Sequence, residues 1–98
     1  MTDQAFQAEL LRDGFEEIAA RTTAAGVYNA PHSHPFDVRA QVLAGAITLA
    51  FEGQERTYRS GDVFVMKSGC EHSERYGAEG ATILSGRRHA RANVAQKA

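Results

Sequence analysis

The sequence predicts an all-β fold, a sandwich or barrel of short strands that one N-terminal helix precedes. Turn-forming residues recur along the chain, at Gly26, Glu52-Gly53, Ser60-Gly61, Gly69 and Gly77. Short apolar or β-branched runs separate them, a spacing typical of sandwiches and barrels. With 98 residues, 43% hydrophobic and 23% charged, the composition indicates one globular domain with a modest core.

The helix is predicted within residues 1–14. Phe6 and Leu10 recur at helical spacing, and Gly14 suits the end of a helix. We expect this helix to pack on the outside of the barrel or against a partner subunit.

Three runs predict strands most directly. Residues 46–51 precede the turn at Glu52-Gly53, residues 62–66 read as a buried strand, and residues 81–84 form the third run. Eight larger apolar side chains are expected in the barrel core or in a subunit contact: Phe36, Leu43, Leu49, Phe51, Tyr58, Val63, Phe64 and Val65.

Three of the four histidines suggest a metal site. His32 and His34 are two residues apart, so in an extended strand both imidazoles point to the same side. Imidazole is a common ligand of divalent transition metals, and His72 offers a third. The alternative is that each histidine is an ordinary surface or core residue.

Glycines flank these histidines in two motifs. The sequence reads Gly26-x5-His32-x-His34-x3-Val38-x6-Gly45 and Gly61-x5-Lys67-x-Gly69-x2-His72-x3-Tyr76. This pattern resembles the cupin superfamily, whose motifs are G-x5-H-x-H-x3–4-E-x6-G and G-x5-P-x-G-x2-H-x3-N. Val38, Lys67 and Tyr76 replace the glutamate, proline and asparagine.

The resemblance covers residues 16–88, most of the chain. It implies a cupin double-stranded β-helix, or jelly-roll, barrel over residues 15–88. It also implies a divalent transition metal (Fe, Mn, Ni, Zn or Cu) held by His32, His34 and His72.

The fourth ligand is left open by the sequence. Cupins commonly add the glutamate of the first motif, and Val38 cannot serve. Asp37 is the nearest carboxylate, but regular alternation points it outward unless a bulge near Pro35 intervenes. Otherwise Asp37 pairs with Arg39 and the site has three histidines. Cys70 either binds a softer metal or packs as a small hydrophobe.

Two further residues are candidates for the wall of the cavity. Tyr76 can hydrogen-bond a bound substrate, and Arg39 can pair with a carboxylate or phosphate in bidentate fashion. Either can instead be a partly exposed strand residue.

The resemblance implies a metal-dependent enzyme that acts on a small organic substrate, of the dioxygenase, isomerase or decarboxylase type. The alternative is a non-catalytic binding or sensory module that holds metal or a small molecule. The sequence has no nucleophile elbow, phosphate loop or dinucleotide fingerprint that would name a reaction.

We expect a cytoplasmic homodimer that does not associate with a membrane. No apolar run approaches the roughly 18 residues of a membrane span, and the N-terminus lacks a signal-peptide pattern. The single cysteine excludes an intrachain disulfide and suits a reducing compartment. Exposed sheet edges favour pairing of two chains.

Residues 89–98 are expected to form a basic, disordered tail. Arg91 and Lys97, like Arg87 and Arg88 just before them, have no acidic residue near them in this terminus. Because no aromatic residues are interleaved, a solvated chain end is the favoured interpretation over nucleic-acid binding.

Overall fold

The computed structural model describes residues 3–89 and contains one helix and six strands. The elements are α1 Asp3–Arg12, β1 Glu16–Thr23, β2 Tyr28–His32, β3 Phe36–Phe51, β4 Gln54–Arg59, β5 Val63–Met66 and β6 His72–His89. The predicted all-β fold with an N-terminal helix is confirmed. Within the described range, no helix has the length and apolarity that a membrane crossing requires.

Two long strands organise the sheet. The 16-residue β3 and the 18-residue β6 pair antiparallel with each other along nearly their whole length. The first half of β3 also pairs with β5, and the second half with β4. The second half of β6 pairs with β1, and its first half with β2. Each long strand therefore contributes to two arms of the fold. One arm contains β1, β5 and the halves of β3 and β6 that pair with them, and the other contains β2, β4 and the remaining halves. The two arms pack face to face.

The bend between the arms lies where two glycines meet. The register of β3 against β6 shifts between Val42 and Ala44 and again between Gly45 and Ile47. Gly45 (φ 76°) and Gly80 (φ 70°) both adopt left-handed backbone conformations. A Cβ atom on Gly45 would overlap the Gly80 carbonyl, so only glycine allows this approach.

The continuous strands correct one expectation from the sequence. The turn predicted at Gly77 lies inside β6, and β3 starts ten residues before the predicted run at residue 46. The reason is that glycines inside a long strand mark bends as well as turns. The turns at Gly26, Glu52-Gly53, Ser60-Gly61 and Gly69 are confirmed.

The helix packs on the outside of the barrel. Phe6 and Leu10 are fully buried and form one cluster with Phe15 and Leu84. A second cluster fills the space between the arms and is built around Val42, Ile47, Leu49 and Met66.

The residues expected in the core differ in how far they are buried, and the position of their strand in the sheet explains the difference. Phe36 and Leu49 are buried, and Leu43, Phe51, Tyr58 and Phe64 are partly buried. The prediction of a fully buried strand at residues 62–66 is wrong. Among residues 3–89, β5 pairs only with β3 and is an edge strand, so Val63 and Val65 are 40% and 49% exposed. His89 ends β6, and the rest of the predicted tail lies outside the described residues.

We expect Gly45→Ala to lower the free energy of unfolding by at least about 3 kcal/mol, a large single-residue effect. Gly53→Ala is the matched control, because Gly53 has nearly the same φ (75°) with no heavy atom within 4 Å of an added Cβ. The control should lose only the cost of left-handed backbone, about 1–2 kcal/mol. Urea unfolding measures both variants, and equal losses would show that the Gly45–Gly80 contact contributes nothing.

Candidate functional site

The three predicted histidines lie together at one end of the barrel. His32 is the last residue of β2, His34 lies in the connection to β3, and His72 is the first residue of β6. His32 and His72 are directly opposite each other in the β2–β6 pairing. One ligand atom from each of the three imidazoles lies within 4.8 Å of the other two. Strand register therefore supplies the third donor that the sequence spacing only suggested.

Backbone carbonyls determine which nitrogen of two imidazoles is protonated. Nδ1 of His32 lies 2.7 Å from the Ala30 carbonyl oxygen, and Nδ1 of His72 lies 3.0 Å from that of Cys70. A carbonyl oxygen only accepts hydrogen bonds, so each Nδ1 carries the proton and donates it. In the neutral rings each Nε2 then keeps a lone pair, as a metal ligand requires.

A carboxylate that the sequence reasoning missed lies beside this group of three histidines, although the group itself does not include it. Oε2 of Glu74 lies 3.3 Å from Nε2 of His72 and 3.9 Å from Nε2 of His32. Asn29 orients the carboxylate, because its Nδ2 donates to Oε1 at 2.7 Å. Alternation from His72 was the available signal, since residue 74 points to the same side of the strand as residue 72.

The donor set fits a divalent transition metal. Two neutral imidazoles that present lone pairs to a carboxylate repel it unless a proton or a metal cation lies between them. Three imidazole nitrogens with one carboxylate oxygen are ligands that such metals accept. The residues present therefore suit the metal that the resemblance implies.

His34 is held in the form that binds metals. Burial lowers the pKa of its imidazole below the ordinary value, and charge on His32 and His72 lowers this pKa further. Its ring stacks on Phe36 with 4.9 Å between centroids. Because metals bind the neutral imidazole, a lowered pKa favours coordination at neutral pH.

The structure does not bring Asp37 to the cluster. Its Oδ1 accepts a 2.9 Å hydrogen bond from the Ser68 N–H, and its Oδ2 pairs with Nη2 of Arg88 at 3.2 Å. These contacts, the Ser68 bond first, hold the pKa of the carboxyl below its usual value. Asp37 therefore forms a salt bridge, as the alternative interpretation held, but its partner is Arg88. Arg39, the partner expected from the sequence, pairs with a different residue.

Cys70 lies beside the cluster without joining it. It is half-buried and packs against the core between the arms. The structure favours its role as a small hydrophobe, and the histidine group that could hold a metal does not include its sulfur.

Arg39 lies at the junction of helix and barrel. Its Nη1 donates to Oδ2 of Asp13 at 2.6 Å, and its guanidinium lies 4.6 Å from the centre of the Phe15 ring. Arg88 lies on the same ring at 4.6 Å and donates to the Asp13 carbonyl. The two arginines therefore hold the end of α1 against the barrel, and the geometry does not place Arg39 in the cavity.

Tyr76 does line the cavity. Burial raises the pKa of its hydroxyl, and its side chain hydrogen-bonds Thr23, which lines the same space. The phenol is therefore protonated at neutral pH and can donate to a bound molecule.

The cavity between the arms has a volume of about 210 Å³. His34, His72 and Glu74 contribute to its lining. One side is apolar and comes mainly from β3 and β5, through Val38, Ala40, Ile47, Leu49, Phe64 and Met66. The polar residues of the opposite side come from β1 and β6 and are Arg21, Thr23, Ser85 and Arg87, with the apolar Ile83 beside them on β6. The sequence reasoning missed both arginines, although alternation along β6 places residues 83, 85 and 87 on one face.

Comparison with known families identifies a match over most of the chain. The model of the AraC-like ligand-binding domain matches residues 14–84. A comparison with curated proteins finds no match.

Several solved structures share the fold. A protein of unknown function from Rhizobium leguminosarum bv. viciae 3841 is 22% identical with a TM-score of 0.70, over 74% of this chain and 69% of that one. A cupin superfamily protein from Desulfitobacterium hafniense DCB-2 is 18% identical with a TM-score of 0.67, over 74% of this chain and 66% of that one.

A third structure is the DMSP lyase DddQ from Ruegeria pomeroyi DSS-3. It is 28% identical with a TM-score of 0.64, over 70% of this chain and 36% of that one. The chain thus spans about two thirds of the first two structures and about one third of this enzyme. Because the family model covers most of the sequence and the barrel matches these structures, the chain belongs to the AraC-like ligand-binding domain family and has a cupin fold.

Proposed function

We propose that the chain is a metal-dependent enzyme that acts on a small organic molecule. One divalent transition metal (Fe, Mn, Ni, Zn or Cu) is held by His32, His34, His72 and Glu74. The observation that carries the proposal is the convergence of three imidazole ligand atoms within 4.8 Å beside a carboxylate, at the cavity lining. Glu74 takes the place of the glutamate that Val38 replaces, and it does so from β6 instead of β3.

Different residues of the chain would have different roles at such a metal site. A bound metal would supply Lewis-acid chemistry or a place where O2 and substrate meet, in a dioxygenase, isomerase or decarboxylase reaction. The carbonyls of Ala30 and Cys70 orient two ligand imidazoles through their Nδ1 protons. The Tyr76 hydroxyl donates a hydrogen bond to the substrate, and the apolar wall excludes water from it.

A non-catalytic binding or sensory module is the second candidate. The description of the matching family as a ligand-binding domain supports it, whereas the similarity to a DMSP lyase supports an enzyme. Oxygen consumption by the metal-loaded protein with catechols, β-diketones and thiols, together with product formation from them followed by NMR for reactions that use no O2, separates the two. Turnover with any of them supports the enzyme, and saturable binding without turnover supports the module.

We expect His72→Ala to remove most of the bound metal, because it deletes one ligand and leaves three. His89→Ala is the matched control, since His89 pairs with Glu17 at 3.1 Å and lies outside the cluster. Metal content of the purified variants is measured by elemental analysis. Full metal content in the double variant His32→Ala, His34→Ala, or its loss in His89→Ala alone, would contradict the site.

We expect Glu74→Gln to weaken metal binding by at least about 10-fold, because even the loss of an outer-shell partner of a metal ligand costs about 10- to 100-fold. Asp37→Asn is the control and should leave the affinity unchanged, because the Asp37 carboxylate is bound to Ser68 and Arg88. Competition titration with a chromogenic chelator gives both dissociation constants. If Asp37→Asn were the damaging change, Asp37 and not Glu74 would be the fourth ligand that the sequence left open.

We propose that the chain forms a homodimer. Val63 and Val65 of the edge strand β5 are 40% and 49% exposed, and a second copy would cover them. Light scattering at micromolar concentration should give about twice 10.6 kDa. The charged variant Val65→Lys should shift the mass toward a single chain, and a single-chain mass for the unmodified protein would refute the proposal.

The proposed partner of the site is a small molecule, and the proposed location is the cytoplasm. Cys70, the single cysteine of the sequence, is a free thiol in the structure, which suits a reducing compartment. No membrane or nucleic-acid partner is part of the proposal.

A further inference from the structure

We propose that the cavity takes a small organic acid whose oxyanion binds the guanidinium of Arg21, while Arg87 adds positive charge near the histidines. The proposal rests on the metal site proposed above and deepens it by naming the class of substrate. Three observations support it: the charge of the residues that line the cavity, the absence of an ion-pair partner for Arg21 among residues 3–89, and the volume of the cavity.

The charge of the lining favours an anion. Apart from histidines, its ionisable residues at neutral pH are Arg21, Arg87 and Glu74. Glu74 is turned toward the imidazoles, 3.3 Å from Nε2 of His72, and is held there by Asn29. Its negative charge is therefore directed to the three histidines. The other two charged side chains of the lining, Arg21 and Arg87, are positive.

Arg21 is the arginine of this wall that has no partner. Within residues 3–89 it forms no ion pair or side-chain hydrogen bond, whereas Arg39 and Arg88 are bound to Asp13 and Asp37. It lies on β1 two residues before Thr23, so both side chains point to the cavity. A guanidinium has five N–H donors in a fixed fork that matches a carboxylate or phosphate, and those of Arg21 are available.

Arg87 places a second positive charge close to the histidines. Its guanidinium lies 4.7 Å from the centre of the Phe36 ring, and the same ring stacks on His34 at 4.9 Å. Its Nη1 donates to Oε1 of Glu17 at 3.1 Å, which holds the side chain in place and leaves other donors of the fork. The electrostatic potential along this wall, between the histidines and Arg21, therefore favours a bound anion.

Size and apolarity limit what else the ligand carries. The volume of about 210 Å³ is below the roughly 300–1,000 Å³ of ordinary ligand sites. Facing the arginines are apolar side chains that include Val38, Leu49 and Phe64. A short apolar body that ends in one carboxylate or phosphate group suits both walls.

The test measures binding of three probes of similar shape by calorimetry, with zinc-loaded and with metal-free protein. Pentanoate carries a carboxylate, butylphosphonate a phosphonate, and pentanamide no charge. We expect saturable binding of at least one anion and at least tenfold weaker binding of the amide. The tighter anion identifies whether the natural ligand is a carboxylic acid or a phosphate ester.

Arg21→Ala should weaken the better anion at least tenfold, and Arg21→Lys should weaken it less. Arg56→Ala on β4 is the matched control, because Arg56 is exposed like Arg21 but does not line the cavity. Arg21 has no partner within residues 3–89, so its replacement removes no ion pair seen there, and thermal unfolding of both variants checks this. Arg87→Ala should also weaken the anion.

The results separate this inference from the metal proposal. Arginine-dependent anion binding by a protein that takes up none of the five metals, Fe, Mn, Ni, Zn or Cu, would uphold the inference and overturn the metal site. Normal zinc binding with an anion affinity unchanged in Arg21→Ala would overturn the inference and leave the metal site standing. Equal affinity for pentanoate and pentanamide, or no binding of either anion, would also overturn it.

Discussion

The close approach of Gly45 to Gly80 is the constraint on which the rest of the fold depends. It lets β3 and β6 pass from one arm to the other without ending, so both arms share the same two strands. His72 begins β6 and Phe36 begins β3. The bend in these two strands therefore sets the position of the histidine cluster relative to the wall of the cavity. A side chain at Gly45 would push β3 away from β6, and one at Gly80 would overlap the Thr23 carbonyl at the end of β1, so either would disturb the barrel.

Local patterns in the sequence predicted much of the fold. The Glu52-Gly53 turn and the spacing of Phe6 and Leu10 are short-range signals, and the structure confirms both. The length of β3 and β6 was not predictable in this way, because Gly45 and Gly77 carry the same local signal as a turn. Whether a glycine bends a strand or ends it depends on what packs against it, which is a long-range property.

The candidate site shows the same division. The three histidines were predicted from motif spacing, and the structure brings them together. Glu74 was missed because the search for a carboxylate stayed near Val38, although strand alternation from His72 pointed to it. Arg39 was a candidate for the cavity wall, with a partly exposed strand residue as the alternative, because its partner, Asp13, lies on a distant segment of the chain. Side-chain partners separated by many residues are set by the fold and cannot be read from spacing.

The position of β2 has a consequence for the dynamics of the protein. This five-residue strand is largely exposed and pairs only with β6 within the described chain, so its local opening should cost little free energy. Its last residue is His32, and the opposing residue of β6 is His72. A metal bound by both would hold this short, exposed strand pair together. Chelation would then expose a sheet edge, and metal supply would govern the tendency of the protein to aggregate.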